Sequence, residues 1–300
     1  MLQHPDLGYF DERLDLTDPS LYDDVCLEYG RAARLPKVAF RSKVFANLED
    51  EKIWTRSWIC VGLLDQIPNS GDLLPFTVGH HGIHIERLGD GRLLGRFNRA
   101  QHGGCRTVPL QCQTGRKTKC SYTSCGYSRD RREITSSEMA SEDTIRYQYL
   151  GLTPERLLPV AVATSGPLIF ASLNSEPPPL ECSIEGLGHL PIPDLRAAAG
   201  PAPIIWQEVP ANWKLVGTAF LSYFDPQSAS GSGTRAASAG GSTIRRAGNH
   251  VGFTRPAGKG RSPDDPADDA GVVAAFWIFP NLLVAVGRRQ TLMATLQPVA

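Results

Sequence analysis

Four cysteines and one histidine fall within residues 98–134, as His102, Cys105, Cys112, Cys120 and Cys125, with turn-forming glycines among them. Thiolates and an imidazole gathered on loops between strand-like runs suit a transition metal or an iron-sulfur cluster, because soft sulfur ligands select such centres. A plainer alternative is that several of these thiols are packing groups, since free cysteine behaves as a small hydrophobe. A third possibility is a structural zinc module built by Cys105, Cys112, Cys120 and Cys125. Six, seven and four residues separate them, and only the last gap approaches the close pairs that zinc sites use. His80, His81 and His84 form a second group. The first two sit in a turn beside glycines and only Glu86 is near, so a turn and a strand account for them better than a metal does.

These loops need elements to hold them. Apolar Val44, Phe45, Leu48, Ile53 and Trp54 among acids and bases predict an amphipathic helix over 44–57, followed by a strand over 58–62. Residues 73–78 and 82–88 alternate as strands, and Gly89-Asp90-Gly91 turns the chain into 93–97, which leads to the first cysteine loop. Basic Lys117, Lys119, Arg129, Arg131 and Arg132 flank the loops. Strands are expected over 147–149 and 159–173, and Pro177, Pro178 and Pro179 then mark a boundary. Residues 204–209 are read as a strand, and Asn212-Trp213-Lys214 opens a helix. From 227 to 248 the composition falls to Ser, Ala, Gly, Thr and Arg, which predicts disorder. His250 beside it is expected at the surface. Strands over 274–279 and 282–286, and another from 291, complete the pattern.

Lysine plus arginine equals aspartate plus glutamate at 31 each in 300 residues. Such a balance supplies no global field for nucleic acid or an anionic membrane, and neither is expected as a partner. The N-terminal run lacks the basic start and apolar core of a signal peptide, and no apolar run has the length of a membrane span. The expected location is cytoplasmic. Cysteines stay reduced there, and an odd count of seven, with Cys26, Cys60 and Cys182 scattered, suits ligation or burial over a disulfide scaffold.

Several motifs, in order, resemble the large subunits of Rieske-type ring-hydroxylating oxygenases. They are Arg56-Ser57-Trp58, Ile67-Pro68 with Gly71-Asp72, the two loops, the run from Gly166 to Leu173, Asn212-Trp213-Lys214, and Trp277 with Pro280-Asn281. In that family the loops read Asn-x-Cys-x-His-Arg-Gly and Cys-x-Tyr-His-Gly-Trp-x-Tyr, and two Cys and two His hold a 2Fe-2S cluster. Asn98, His102 and Gly104 match the first loop, with Ala100 where its cysteine belongs. Cys120, Tyr122, Gly126 and Tyr127 match the second, with Thr123 at the histidine position and Ser124 and Cys125 inserted. The resemblance implies His102 and Cys120 as retained metal ligands, with replacements drawn from Cys105, Cys112 or Cys125. It also implies a mononuclear Fe(II), bound in the family by two histidines and a carboxylate, the histidines following a tyrosine on the helix after Asn-Trp-Lys. Here Ser222 stands at the position of the bridging acid that precedes the tyrosine, Tyr223 keeps the tyrosine, and Phe224 and Ser228 or Ala229 stand at the two histidine positions, so no catalytic residue is carried over.

The implied fold class is α+β: an antiparallel β Rieske-like domain followed by a partial helix-on-antiparallel-sheet domain of catalytic type. The expected organisation is an N-terminal arm over 1–43, the Rieske-like domain over 44–175, a linker over 176–203, and the partial catalytic-type domain over 204–300 with a disordered insert at 227–271. The sequence stops soon after the strand that starts at 291, so a truncated sheet with an open edge is expected. The resemblance implies an oxygenase component that receives electrons from a ferredoxin or reductase, through the cluster to an iron that hydroxylates an aromatic or other apolar substrate, impaired in this chain. The alternatives are a non-catalytic relative that acts as an assembly partner, and a structural metal module. The basic residues flanking the loops suit an acidic electron donor, and a homo-oligomer is also implied.

Overall fold

The computed structural model describes residues 9–28, 31–97, 159–185, 204–224, 243–254, 272–287 and 290–298, with the backbone of two strands at 117–119 and 126–128. Strands β1 (Phe10–Asp11) and β2 (Leu14–Asp15) pair across Glu12 and Arg13, both at positive φ. Leu16 is buried, and its carbonyl accepts from the Tyr22 hydroxyl at 2.7 Å. These contacts fix the arm.

Helices α1 (Val38–Arg41) and α2 (Lys43–Glu49) meet at Ser42, whose side chain accepts from the Phe45 N–H at 3.0 Å and so caps α2. The helix expected over 44–57 ends early. After Glu49 the backbone widens into a π turn over Asp50–Trp54, which aims Asp50 at the β-hairpin beside it and buries Trp54.

The first sheet follows from alternation. Strands β3 (Ile59–Leu63), β4 (Leu73–Val78), β5 (His81–Arg87) and β6 (Leu93–Phe97) precede the short pair β7 (Lys117–Lys119) and β8 (Gly126–Ser128), and β9 (Pro159–Ser165) and β10 (Leu168–Ser172) come after it. Six of them form an antiparallel sheet in the order β3-β10-β9-β6-β5-β4. Leu74, Phe76 and Val78 of β4 and Ile83 and Ile85 of β5 share a core with Ile59, Val61 and Ile169. Because side chains alternate along a strand, His84 and Glu86 leave β5 on the opposite side.

Helix α3 (Leu180–Ser183) leads to the second unit, where α4 (Trp213–Phe224) lies on a five-stranded antiparallel sheet. Its strands run in chain order: β11 (Thr243–Ala247), β12 (His250–Thr254), β13 (Val272–Ile278), β14 (Leu282–Gly287) and β15 (Thr291–Thr295). Phe220, Leu221 and Phe224 of α4 pack on Phe253, Ala275 and Ala285. A Cβ on Gly217 would fall 2.6 Å from the Trp277 ring, so glycine sets how closely α4 approaches β13. The α+β class and the antiparallel sheets agree with the expectation.

Three expectations are corrected. Residues 204–209 form no strand, and Ile205 and Trp206 are 83% and 59% exposed. β propensity needs a neighbouring strand to be realised, and none among the described residues pairs with this run. Residues 243–254, expected within a disordered insert, are two paired strands, because Phe253 and His250 find burial against β13. His250 is accordingly in the interior, not at the surface. The rest of the insert and of the linker lies outside the described residues. No helix among the described residues is long and apolar enough to cross a membrane.

Candidate functional site

Strand β6 ends at Phe97, directly before the cysteine loops. Beneath that point Arg96 Nη1 donates to Glu86 Oε2 at 3.4 Å, with both side chains buried. His84, opposite Arg96 in the strand register, is 2% exposed. A buried ion pair contributes little net stability because both charges are desolvated, but removing one partner is costly, so the pair holds the strands in register.

His81 projects from the other face of β5. Its Nε2 lies 3.2 Å from Asp50 Oδ2, and Asp50 Oδ1 accepts from the His80 N–H at 3.0 Å. Burial works to raise the Asp50 carboxyl, but the bonds from His81 and His80 outweigh it and hold it below its ordinary value. Gly79, at φ +54°, leaves room for that carboxylate, which a Cβ there would strike. His80 and His81 thus share Asp50, whereas His84 leaves the strand on the opposite face.

His102, Cys105, Cys112, Cys120 and Cys125 lie outside the described residues. The backbone pairing of β7 with β8, Lys119 opposite Gly126, brackets positions 120–125. Among the described cysteines, Cys26 and Cys182 are exposed and Cys60 is buried, its thiol pushed up to about 12 by desolvation. Cys60 is thus no thiolate at neutral pH. No group of three or more His, Cys, Asp or Glu side chains suited to a metal occurs among the described residues.

A second constellation joins the two units. Asn212 accepts from the Lys214 N–H at 3.1 Å and donates to the Phe40 carbonyl at 3.3 Å, fixing the start of α4 against α1. Lys214 Nζ then reaches Glu49 Oε1 at 2.6 Å, and Trp213 Nε1 donates to Glu49 Oε2 at 3.2 Å. The rings of Phe40, Phe45 and Trp213 surround the ammonium, with centroids 5.4, 5.3 and 5.2 Å away. Burial pushes the Glu49 carboxyl up and the Lys214 ammonium down, and the charge of each opposes the shift of the other. Edge-to-face contacts carry the packing from Trp54 to Trp213 at 5.1 Å and on to Trp277 at 5.8 Å. Sequence reasoning found Asn-Trp-Lys but missed Glu49, whose only signal is an acid four positions after Phe45 on the apolar side of α2.

Two further buried groups bind the second sheet to the first unit. Asn281 Oδ1 accepts from the Cys60 N–H at 2.9 Å and its Nδ2 donates to the Cys60 carbonyl at 2.8 Å, copying a strand neighbour. His250 Nδ1 accepts from the Phe279 N–H at 3.0 Å, and its Nε2 lies 3.1 Å from the Ser183 carbonyl. That pattern requires neutral imidazole with its proton on Nε2, and desolvation holds its pKa below the ordinary value.

The far end of α4 differs in kind. Phe224 stacks edge-on with Phe220 at 5.0 Å and with Tyr223 at 4.9 Å, and packs over Phe253, Ala275 and Ala285. The last turn offers the Ser222 and Tyr223 hydroxyls and a hydrocarbon ring. A mononuclear iron of the two-histidine, one-carboxylate type needs imidazole and carboxylate donors, so these residues do not fit it. Asp225, Ser228 and Ala229 lie outside the described residues.

No family model matches the chain. The oxygenase subunit of glycine betaine monooxygenase from Chromohalobacter salexigens is 30% identical over 177 residues, covering 58% of this chain and 38% of that protein. The alpha subunit of biphenyl 2,3-dioxygenase from Rhodococcus jostii is 26% identical over 198 residues, covering 64% and 42%. The chain thus spans about two fifths of the length of these curated relatives. Among solved structures, the quaternary ammonium Rieske monooxygenase CntA with γ-butyrobetaine superposes with a TM-score of 0.61 at 18% identity, covering 88% of this chain and 70% of that one. Naphthalene 1,2-dioxygenase from a Rhodococcus species bound to indole gives 0.54 at 18% identity, covering 84% and 64%. The fold is that of Rieske oxygenase α subunits.

Proposed function

We propose that this chain is a non-hydroxylating relative of Rieske oxygenase components, in which redox chemistry belongs to the first unit alone. On this reading His102 and Cys120, with thiolates from Cys105, Cys112 or Cys125, would hold a 2Fe-2S cluster in the segment that follows β6 in the chain. Bound there, a cluster supplies one-electron transfer. Lys117, Lys119, Arg129, Arg131 and Arg132, which flank these cysteines in the sequence, would meet an acidic ferredoxin or reductase. The second unit braces the first through Glu49, Lys214 and Asn281.

The observation that carries this reading is the end of α4, where Phe224 fills an apolar contact on Phe253, Ala275 and Ala285. Side-chain chemistry there is packing. Iron and acid-labile sulfide measured on anaerobically reconstituted protein test the proposal. Equal amounts of the two support it, and iron in excess of sulfide contradicts it. Zinc without sulfide would replace the cluster with the structural thiolate module, and a metal-free protein would leave assembly as the only role.

A further inference from the structure

Helix α3, strand β12 and the bend between β13 and β14 meet at one side chain. His250 is 4% exposed and opens β12. Its Nδ1 accepts from the Phe279 N–H at 3.0 Å, and its Nε2 lies 3.1 Å from the carbonyl of Ser183, the last residue of α3. Each of the three pieces is anchored elsewhere. Leu180 of α3 is buried with Trp58 and Cys60 of the first unit, β12 is paired with β11 and β13, and Asn281 ties the bend to β3. The imidazole therefore closes a joint between the segment that connects the units, the second sheet, and the bend by which that sheet grips the first.

The two ring nitrogens respond to a proton in opposite ways. Nε2–H already donates to the Ser183 carbonyl, and a positive charge on the ring strengthens that bond, since charge-assisted hydrogen bonds are the stronger kind. Nδ1 accepts through its lone pair. Once protonated it is a donor aimed at the Phe279 N–H, so that bond is lost and a buried amide is left without its acceptor. The ionisable groups on the elements around the ring are Glu181 and Cys182 of α3, Glu185 just beyond it, and Arg245 and Arg246 of β11, all exposed, while β12, β13 and the bend carry no other. Cys60, joined to the bend through Asn281, is a neutral thiol. Among the described residues no buried carboxylate balances a charge on the ring.

We infer that His250 is an acid-sensitive latch between the two units: neutral, it clasps α3 to the β13–β14 bend, and a proton taken up at Nδ1 frees the bend while the ring stays on Ser183. Burial holds the closed ring below its ordinary value of 6.5, which fixes the sign. The open form binds the proton more readily, so the latch is shut above that value and opens as the pH falls below it, with opening rising by up to about tenfold per pH unit for one proton. It needs neither cluster nor iron.

Amide hydrogen exchange of the full chain on either side of pH 6.5, corrected for the intrinsic effect of pH, tests the latch. In acid, residues 250–254 and 276–282 are expected to exchange well ahead of β4 and β5, through a step that low urea does not accelerate because a local opening exposes little surface. Residues 180–184 are expected to keep their rate. Exchange of 276–282 only in step with β4 and β5, a gain at 180–184 in its place, or no dependence on pH would each overturn the latch. Nitrogen-15 NMR of the histidine-labelled, otherwise unaltered chain gives a second reading. One buried ring is expected to carry its proton on Nε2 at neutral pH and to gain a second on Nδ1 over the pH range in which 276–282 opens; a ring that protonates without that opening contradicts the latch. His250→Asn is expected to abolish the pH dependence at 276–282, and its persistence in that variant would place the sensor elsewhere.

Discussion

Glu49 and Lys214 carry opposite charges into a space walled by Phe40, Phe45 and Trp213, and each depends on the other there. Lys214→Met leaves a buried carboxylate with only the Trp213 indole, so a loss of about 3–5 kcal/mol is expected in urea unfolding, with most of it recovered by adding Glu49→Leu. A loss no larger than that of a surface exchange would show the pair to be solvated. His250 makes a pH-dependent contribution. Its folded pKa lies below the ordinary 6.5 because burial disfavours the charged ring, so the unfolded chain binds the proton more readily. Stability from this group is therefore complete above that value and declines as the pH falls below it. His250→Asn, whose side-chain oxygen can still accept from the Phe279 N–H, is expected to flatten the slope of unfolding free energy against pH in that window. An unchanged slope would place the titration elsewhere.

Elements whose partners are adjacent in the chain were legible from sequence, and those with remote partners were not. Alternating apolar residues and Gly89-Asp90-Gly91 predicted β4, β5 and β6 within about a residue, because a meander closes locally. Glu49 is buried only because Lys214 lies 165 positions later, and no local period reveals that. Residues 243–254 were misread because composition averaged over a long polar run hides the short stretch in which Phe253 and His250 find β13. The run 204–209 shows the opposite error, since its propensity is strong and no strand among the described residues pairs with it. At the site, Asn-Trp-Lys was readable as the start of α4, whereas the packing at its other end depends on Ala275 and Ala285 of distant strands. Contact of α4 with β13 is set by Gly217, so Gly217→Ala is expected to cost about 1–3 kcal/mol by overpacking against Trp277 and to shift tryptophan emission. Unchanged urea midpoint and emission would mean that the helix slides freely over the sheet.

At the scale of the whole molecule, the two units are joined by few polar contacts and a line of tryptophans. Asn281 binds both backbone groups of Cys60 on β3, which ties the β13–β14 bend to the first sheet. Asn281→Ala leaves those two groups without their side-chain partner, at about 1–3 kcal/mol for each buried group, and faster hydrogen exchange at β3 is the expected readout. Exchange that stays as slow as in the unaltered chain would show that β3 is held by β10 alone. The central claim is a division of labour, with redox chemistry in the first unit and packing in the second. Electron paramagnetic resonance of the reconstituted chain, reduced and then exposed to nitric oxide, tests it most directly. The account predicts the signal of a reduced 2Fe-2S cluster and no high-spin ferrous-nitrosyl signal, and a ferrous-nitrosyl signal in proportion to protein would contradict it.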